Sequence, residues 1–313
     1  MAGTLASKRK VKLGDKVFRL KGFFANAIAL EHFTQQKDME SWLDVIFSSV
    51  LQCREGAFLD VGANLGQTMF KILALDPSRQ YVGFEPQLAC CFMIQRFLDD
   101  NHVTNFMILP LGLSNTNQLI KLHGGPGDHD CIASVVDGFR PDSFYSSHRY
   151  VSVMKGDYVL SILGLSSVCA IKVDVEGAEL EVLEGFLTTI ERTRPFLVFE
   201  VLNHFLVGTG SRLDDETIRF RESRIEKMEE MLRERNYEIF NILPGSGLNN
   251  VRKIKPPVSD DLSITNYLAV PNSDLDAFLG IFPGQVQRAE LLPECFFPVS
   301  KSLPANVRIR IEV

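Results

Sequence analysis

From Ala57 onward, short apolar runs alternate with amphipathic segments, and this alternation restricts the fold more than any other feature of the 313 residues. Apolar runs of strand length bounded by turn residues suit strands buried on both faces, and parallel strands of that kind need crossover helices to cover them. The pattern predicts strands near 57–61, 80–85, 104–109, 168–174, 196–202, 237–243 and 264–270, with helices near 66–75, 87–100, 178–190 and 215–235. Seven strands so interleaved specify an α/β fold around a mostly parallel sheet.

Ahead of this region, V-K-L-G-D-K-V-F-R-L at 11–20 reads as a hairpin about Gly14 and Asp15. Met39, Trp42, Leu43, Ile46, Phe47 and Val50 recur at helical spacing, which puts the single Trp in the core. The division that follows is a lead-in over 1–52, a main domain over 53–272 and a C-terminal extension over 273–313, whose last residues V-R-I-R-I-E-V alternate like a strand. Within the main domain, residues 123–150 keep no steady period and are too long for an ordinary connection. They are expected to form a mobile, substrate-facing loop, with His123 and His129 near its start. A second break runs from Pro244 to Asp261.

Charge and cysteine usage narrow the function classes. Lys and Arg total 33 against 39 Asp and Glu, so a net charge of -6 disfavours a nucleic-acid partner. The one basic run, Lys8 to Lys21, reads as a solvated arm. Six cysteines include no C-x-x-C pair and no zinc spacing, which suits reduced thiols and a cytoplasmic location. Cys90 and Cys91 read as one buried and one semi-exposed thiol. No signal-peptide core or membrane-length apolar stretch is present, so no membrane partner is expected. Asp215 with Arg219, and Glu229 with Arg233, are placed to pair on the face of the 215–235 helix.

The chemistry-bearing residues fall at strand ends. F-L-D-V-G-A-N-L-G-Q at 58–67 puts Asp60, Gly62, Asn64 and Gly66 between a strand and a helix, where glycines let the backbone approach a ligand. The dinucleotide pattern G-x-G-x-x-G fails, since Asn64 and Gln67 replace its second and third glycines. Asp60 suits a cationic ligand group, such as the amino group of S-adenosylmethionine, better than a pyrophosphate. Glu85, followed by Pro86, ends the next strand where a carboxylate can take hydrogen bonds from ribose hydroxyls. Gly112 and Leu113 would lie along the same edge and could flank an adenine, although loop packing explains them equally well. Asp174 ends the fourth strand, and Glu200, Asn203 and His204 follow the fifth. Glu176 could cap the next helix, with Glu179 at its third position. Asp174 with Glu200 or Asn203 could form an oxygen-rich cation site, but no metal ligand is assigned.

In that fourth strand, V-C-A-I-K-V-D-V-E-G-A-E, the residues Lys172, Asp174, Glu176, Gly177, Ala178 and Glu179 match K-x-D-x-E-G-A-E. Here the chain resembles the FkbM-type family of S-adenosylmethionine-dependent methyltransferases. The likeness extends over about 58–205 and includes V-G-F-E-P and R-P-F-L-V-F-E. It implies a Rossmann-like class I methyltransferase fold, a seven-stranded sheet with an antiparallel last strand. It also implies S-adenosylmethionine as cofactor and O-methylation of a sugar or secondary-metabolite hydroxyl. On that footing His204 and Glu176 are the leading general bases, with Asp174 orienting them or the acceptor and also bordering the cofactor. Two alternatives stay open: a non-catalytic S-adenosylmethionine-binding scaffold, and a nucleic-acid or protein methyltransferase on the same fold.

Overall fold

In the computed structural model, which describes residues 8–13, 16–21, 40–125, 133–141, 145–203, 206–207, 211–255 and 262–287, the chain begins with an antiparallel hairpin of β1 (Lys8–Leu13) and β2 (Lys16–Lys21). Helix α1 (Ser41–Cys53) follows, then β3 (Ala57–Val61), α2 (Gln67–Leu75), β4 (Tyr81–Phe84), α3 (Leu88–Asp100) and β5 (Phe106–Leu109). A separate small sheet is inserted next, made of β6 (Gly112–Leu113), β7 (Gln118–Gly124) and β8 (Ser147–Met154). The chain returns through α4 (Gly156–Leu163), β9 (Val168–Val173), α5 (Glu179–Glu184), α6 (Leu187–Thr193) and β10 (Phe196–Glu200). A short pair, β11 (Leu206–Val207) and β12 (Ser211–Arg212), leads into α7 (Asp215–Glu234). Then come β13 (Tyr237–Leu243), β14 (Gly247–Asn250), β15 (Asn266–Pro271), α8 (Leu275–Ile281) and β16 (Val286–Gln287).

The central sheet has the order β16-β14-β13-β15-β10-β9-β3-β4-β5. From β5 to β10 the strands are parallel, while β15 runs antiparallel to β10 on one side and to β13 on the other. All seven expected strands therefore lie in one Rossmann-like sheet, and the last of them in sequence is the reversed one. Two short strands, β14 and β16, extend it beyond β13 to nine. The break after Pro244 is in part a hairpin: Gly245 and Ser246 turn β13 straight back into β14. Residues 256–261 lie outside the described residues.

Helices cover both faces, so successive residues of one strand feed two different cores. Phe58, Tyr81, Ala170 and Phe196 point to the layer of α1, α2, α3 and α8, among Ile46, Phe47, Met69, Ile94 and Phe278. Leu59, Val82, Ile171 and Leu197 point to the layer of α4 to α7, among Leu160, Leu183, Ile190 and Leu232. Trp42 packs against the first layer, partly buried. The hairpin β1–β2 rests against α2 and α3.

Several sequence expectations give way. The stretch 123–150 is not one loop: its ends are paired strand residues of β7 and β8, His123 facing His148, and His123 also bridges to Ser134. The 178–190 helix is two, because the Asp157 carboxylate takes the N–H groups of Thr188 and Thr189 at 2.8 Å each and starts α6 afresh. Cys90 and Cys91 are both buried. Asp215 pairs with Arg212 rather than Arg219, at 2.9 Å, whereas Glu229 does pair with Arg233, at 2.9 Å. His129 and the C-terminal V-R-I-R-I-E-V lie outside the described residues. Among those described, no helix is long and apolar enough to cross a membrane.

Candidate functional site

The strand order reverses between β3 and β9: the chain leaves β3 toward β4 and β5, then returns on the other side through β9 and β10. Ligands of open α/β sheets bind outside the carboxyl ends of the strands at such a switch point. Asp60, Glu85, Asp174 and Glu200 stand at or just past the carboxyl ends of β3, β4, β9 and β10, so sheet topology gathers four carboxylates from four distant segments.

On the β3–β4 side, Asp60 is closed off from solvent and accepts a hydrogen bond from the Tyr81 hydroxyl at 2.5 Å through Oδ2. Its Oδ1 is buried with no hydrogen-bond partner among the described residues. Burial pushes the Asp60 carboxyl up, opposed by the Lys172 charge and the Tyr81 bond. Glu85, also buried, takes backbone N–H groups on both oxygens: Asn64 to Oε2 and Gln87 to Oε1, each at 2.8 Å. Burial raises this carboxyl too, against the pull of those two donors. The Gln87 side chain hydrogen-bonds this carboxylate as well, so a clamped carboxylate and one with an unsatisfied oxygen sit side by side.

The glycines here serve the chain more than a ligand. A Cβ on Gly62 would fall 1.8 Å from the Asp174 carbonyl oxygen, so this residue lets β3 and β9 close on each other, and Gly66 is the N-cap of α2. Pro86 and Gly112 are neighbours, with 3.8 Å between Pro86 and a Cβ built on Gly112. Leu113 packs into the core with Val82 and Phe84, which leaves its backbone rather than its side chain to a ligand.

On the β9–β10 side, Asp174, Glu176 and Glu200 each bring a carboxylate oxygen within 4.8 Å of the others, and these are the described residues that could hold a metal ion. Asp174 is bound on Oδ2 by Lys172 at 2.9 Å. Glu176 pairs with Arg140, and Glu200 accepts from the Thr265 hydroxyl at 2.7 Å. Burial first, then the charges of Asp174 and Glu176, push the Glu200 carboxyl well above its ordinary range. Asn203 contributes its backbone carbonyl to Arg221, at 2.8 Å, and His204 lies outside the described residues.

The expected helix cap is reassigned. Glu176 takes a left-handed conformation at φ 55 and does not cap α5. Glu179 reaches back instead, its Oε1 accepting from Val175 at 3.3 Å and Gly177 at 3.2 Å. The helix opens two residues later than a Glu176 cap requires, with Ala178 as its N-cap. Burial raises the Glu179 carboxyl to about 7.

Sequence reasoning assigned no role to Tyr81, Lys172, Arg140, Arg221 or Thr265. A lysine inside the apolar V-C-A-I-K-V was a usable signal for Lys172, since a buried ammonium demands carboxylate partners. Arg140 and Arg221 sit in segments whose pattern offers none.

A family model described as the methyltransferase FkbM domain matches residues 60–239. A curated 2-O-methyltransferase, NoeI of Sinorhizobium fredii, is 26% identical over 156 residues, covering 47% of this chain and 63% of NoeI. Among solved structures, the FkbM methyltransferase of Methylobacillus flagellatus superimposes with a TM-score of 0.40 at 14% identity, over 78% of this chain and 58% of that one. An O-methyltransferase of Bacillus cereus in complex with SAH does so with 0.43 at 9% identity, over 78% and 87%. The chain spans less than two thirds of the length of NoeI and of the M. flagellatus protein.

Proposed function

The chain belongs to the FkbM methyltransferase family, and from that premise we propose that it moves the methyl group of S-adenosylmethionine to a hydroxyl oxygen of a small molecule, a sugar or secondary metabolite. The observation that carries the donor half is Asp60. A buried carboxylate oxygen with no donor is costly, and an ammonium at the sheet's switch point supplies what it lacks. Glu85, aimed by two backbone N–H groups and the Gln87 side chain, keeps acceptor capacity for a ribose hydroxyl. Asn64, Gly62, Gly66, Pro86 and Gly112 frame the same edge.

The bound cofactor supplies an electrophilic methyl on a sulfonium. The protein's part is to align the acceptor and to take up its proton. Asp174 is the carboxylate best placed to receive that proton, because its side chain is 32% exposed against 17% for Glu176. Glu176 is tied to Arg140, which weighs against it as the base and gives it an orienting role. His204 follows β10 in sequence and is kept as the second base candidate. The O-methyl outcome draws support from NoeI alone.

Isothermal calorimetry with S-adenosylmethionine and S-adenosylhomocysteine tests the donor site. Release of S-adenosylhomocysteine in the presence of methyl glycosides and phenolic alcohols tests the acceptor class. No binding of either nucleoside would remove this reading.

A further inference from the structure

Within the insert between β7 and β8, Phe139 and Arg140 reach the β9–β10 side of the sheet and bring a cation to it. The Phe139 ring lies against Gly177, where a built Cβ would come within 2.6 Å of it, and Gly177 takes φ 106, so a side chain is excluded from that seat twice over. Arg221, buried on α7, donates from Nε at 2.8 Å and from Nη2 to the Phe139 carbonyl, and from Nη1 at 2.8 Å to the Asn203 carbonyl. Its guanidinium also lies over the Phe139 ring, 4.3 Å from the centroid. Arg224 fixes the other side of the seat, donating to the Gly177 carbonyl at 2.8 Å and to Glu181 at 2.6 Å.

Held in this way, Arg140 meets Glu176 and pairs with its Oε2. Three carboxylates within 4.8 Å of one another repel unless a proton or a positive charge is placed among them. Lys172 supplies it to Asp174, and Arg140 supplies it to Glu176. A divalent ion ligated by Glu176 would lie close to the guanidinium that pairs with its Oε2, and their like charges would oppose each other at that range.

We propose that Arg140 is the built-in counter-cation of the Asp174–Glu176–Glu200 cluster, so that seating of Phe139 and Arg140 opposes binding of a divalent cation there. The inference rests on the methyltransferase reading only in calling this side the acceptor side. Its consequence is that Arg140, not a dissolved metal ion, sets the charge that an acceptor meets.

Manganese titrations followed by electron paramagnetic resonance on the full chain test it. Arg140→Gln is expected to bind one Mn²⁺ at least about tenfold more tightly than wild type. That gain should vanish in Arg140→Gln combined with Glu176→Gln. Arg221→Lys keeps Arg140 but cannot reproduce the two-carbonyl clamp, and it should show a smaller gain. Equal Mn²⁺ affinity in wild type and Arg140→Gln, or a gain that survives without Glu176, overturns the proposal. Should Arg140→Gln not fold, unchanged Mn²⁺ affinity in Arg221→Lys overturns it instead. Calorimetry with S-adenosylhomocysteine on the same wild-type sample reports on the donor site separately, so failure of the methyltransferase reading is not mistaken for failure of this one.

Discussion

Asp60 and Lys172 stand directly opposite each other on the adjacent parallel strands β3 and β9, and both are buried. They share the face lined by α1 and α2, where Tyr81 bonds the first and Asp174 the second. Lys172 thus lies between the residue assigned to the donor and the residue assigned to the acceptor. Burial works against its ammonium, but Asp174, Asp60 and Glu40 more than compensate and leave its pKa raised.

Replacing Lys172 by Met should strand buried carboxylates without a counter-charge. Removing one partner of such a cluster costs roughly 3 to 5 kcal/mol, so urea denaturation should show a loss of that order. A loss no larger than that of an exposed substitution would contradict the buried network.

For Glu85→Ala, the loss of charge-assisted hydrogen bonds to ribose should weaken S-adenosylmethionine binding by about 1.5 to 3 kcal/mol. Calorimetry is the measurement, and unchanged affinity would take Glu85 out of the site. Asp60→Asn keeps the shape but loses the charge, and should weaken binding of the amino-bearing ligand more than that of adenosine, which has no such ammonium.

Gly62→Ala and Gly138→Ala form a matched pair. Both positions are left-handed, at φ 87 and 74, but a Cβ meets the Asp174 carbonyl at 1.8 Å in the first and nothing within 4 Å in the second. Gly138→Ala should cost only the conformational term, roughly 1 to 2 kcal/mol. Gly62→Ala must also push β3 from the β9 end, and should lower the melting temperature much further or prevent folding. Equal losses would show that strand approach is not what requires Gly62.

Glu179 predicts a pH dependence. Its carboxyl is raised from an ordinary 4.5 to about 7 by burial, so the folded state holds this proton more tightly than the unfolded chain. The stabilisation is complete below the unfolded value and is lost as pH rises through about 7, on the order of 3 kcal/mol across that window. Urea midpoints at several pH values should fall for wild type relative to Glu179→Gln between pH 5 and 8. A constant difference between the two proteins would place the titration elsewhere.

Thiol labelling tests the packing behind the site. The Cys91 Sγ–H donates to the Glu85 carbonyl at 3.0 Å, and burial pushes its thiol up to about 12; burial likewise takes Cys169 to about 11. Neither should react with iodoacetamide at pH 8 in the native protein, and both should react in denaturant. Rapid native modification of Cys91 would mean that the turn bearing Glu85 opens readily.

Local sequence specifies a good deal of this protein. Apolar runs at 57–61, 168–173 and 196–200 became the buried strands because burial on both faces leaves no room for alternation. The strand-end positions of Asp60, Glu85 and Asp174 were legible because a carboxylate that closes such a run must emerge where the sheet ends. The strand β8 was not legible: S-H-R-Y-V-S-V-M became a strand only by pairing with β7 across an intervening stretch without a period. The same holds for the charges around Asp174, Glu176 and Glu200. Arg140 and Glu176 are 36 residues apart, and Arg221 is 82 from Phe139; each pairing exists only because Phe139 and Arg140 lie against the turn that follows β9. Backbone periodicity is a local property written in consecutive residues, whereas the partner of a buried charge is whatever the completed fold brings within about 3 Å of it, and no local pattern encodes that.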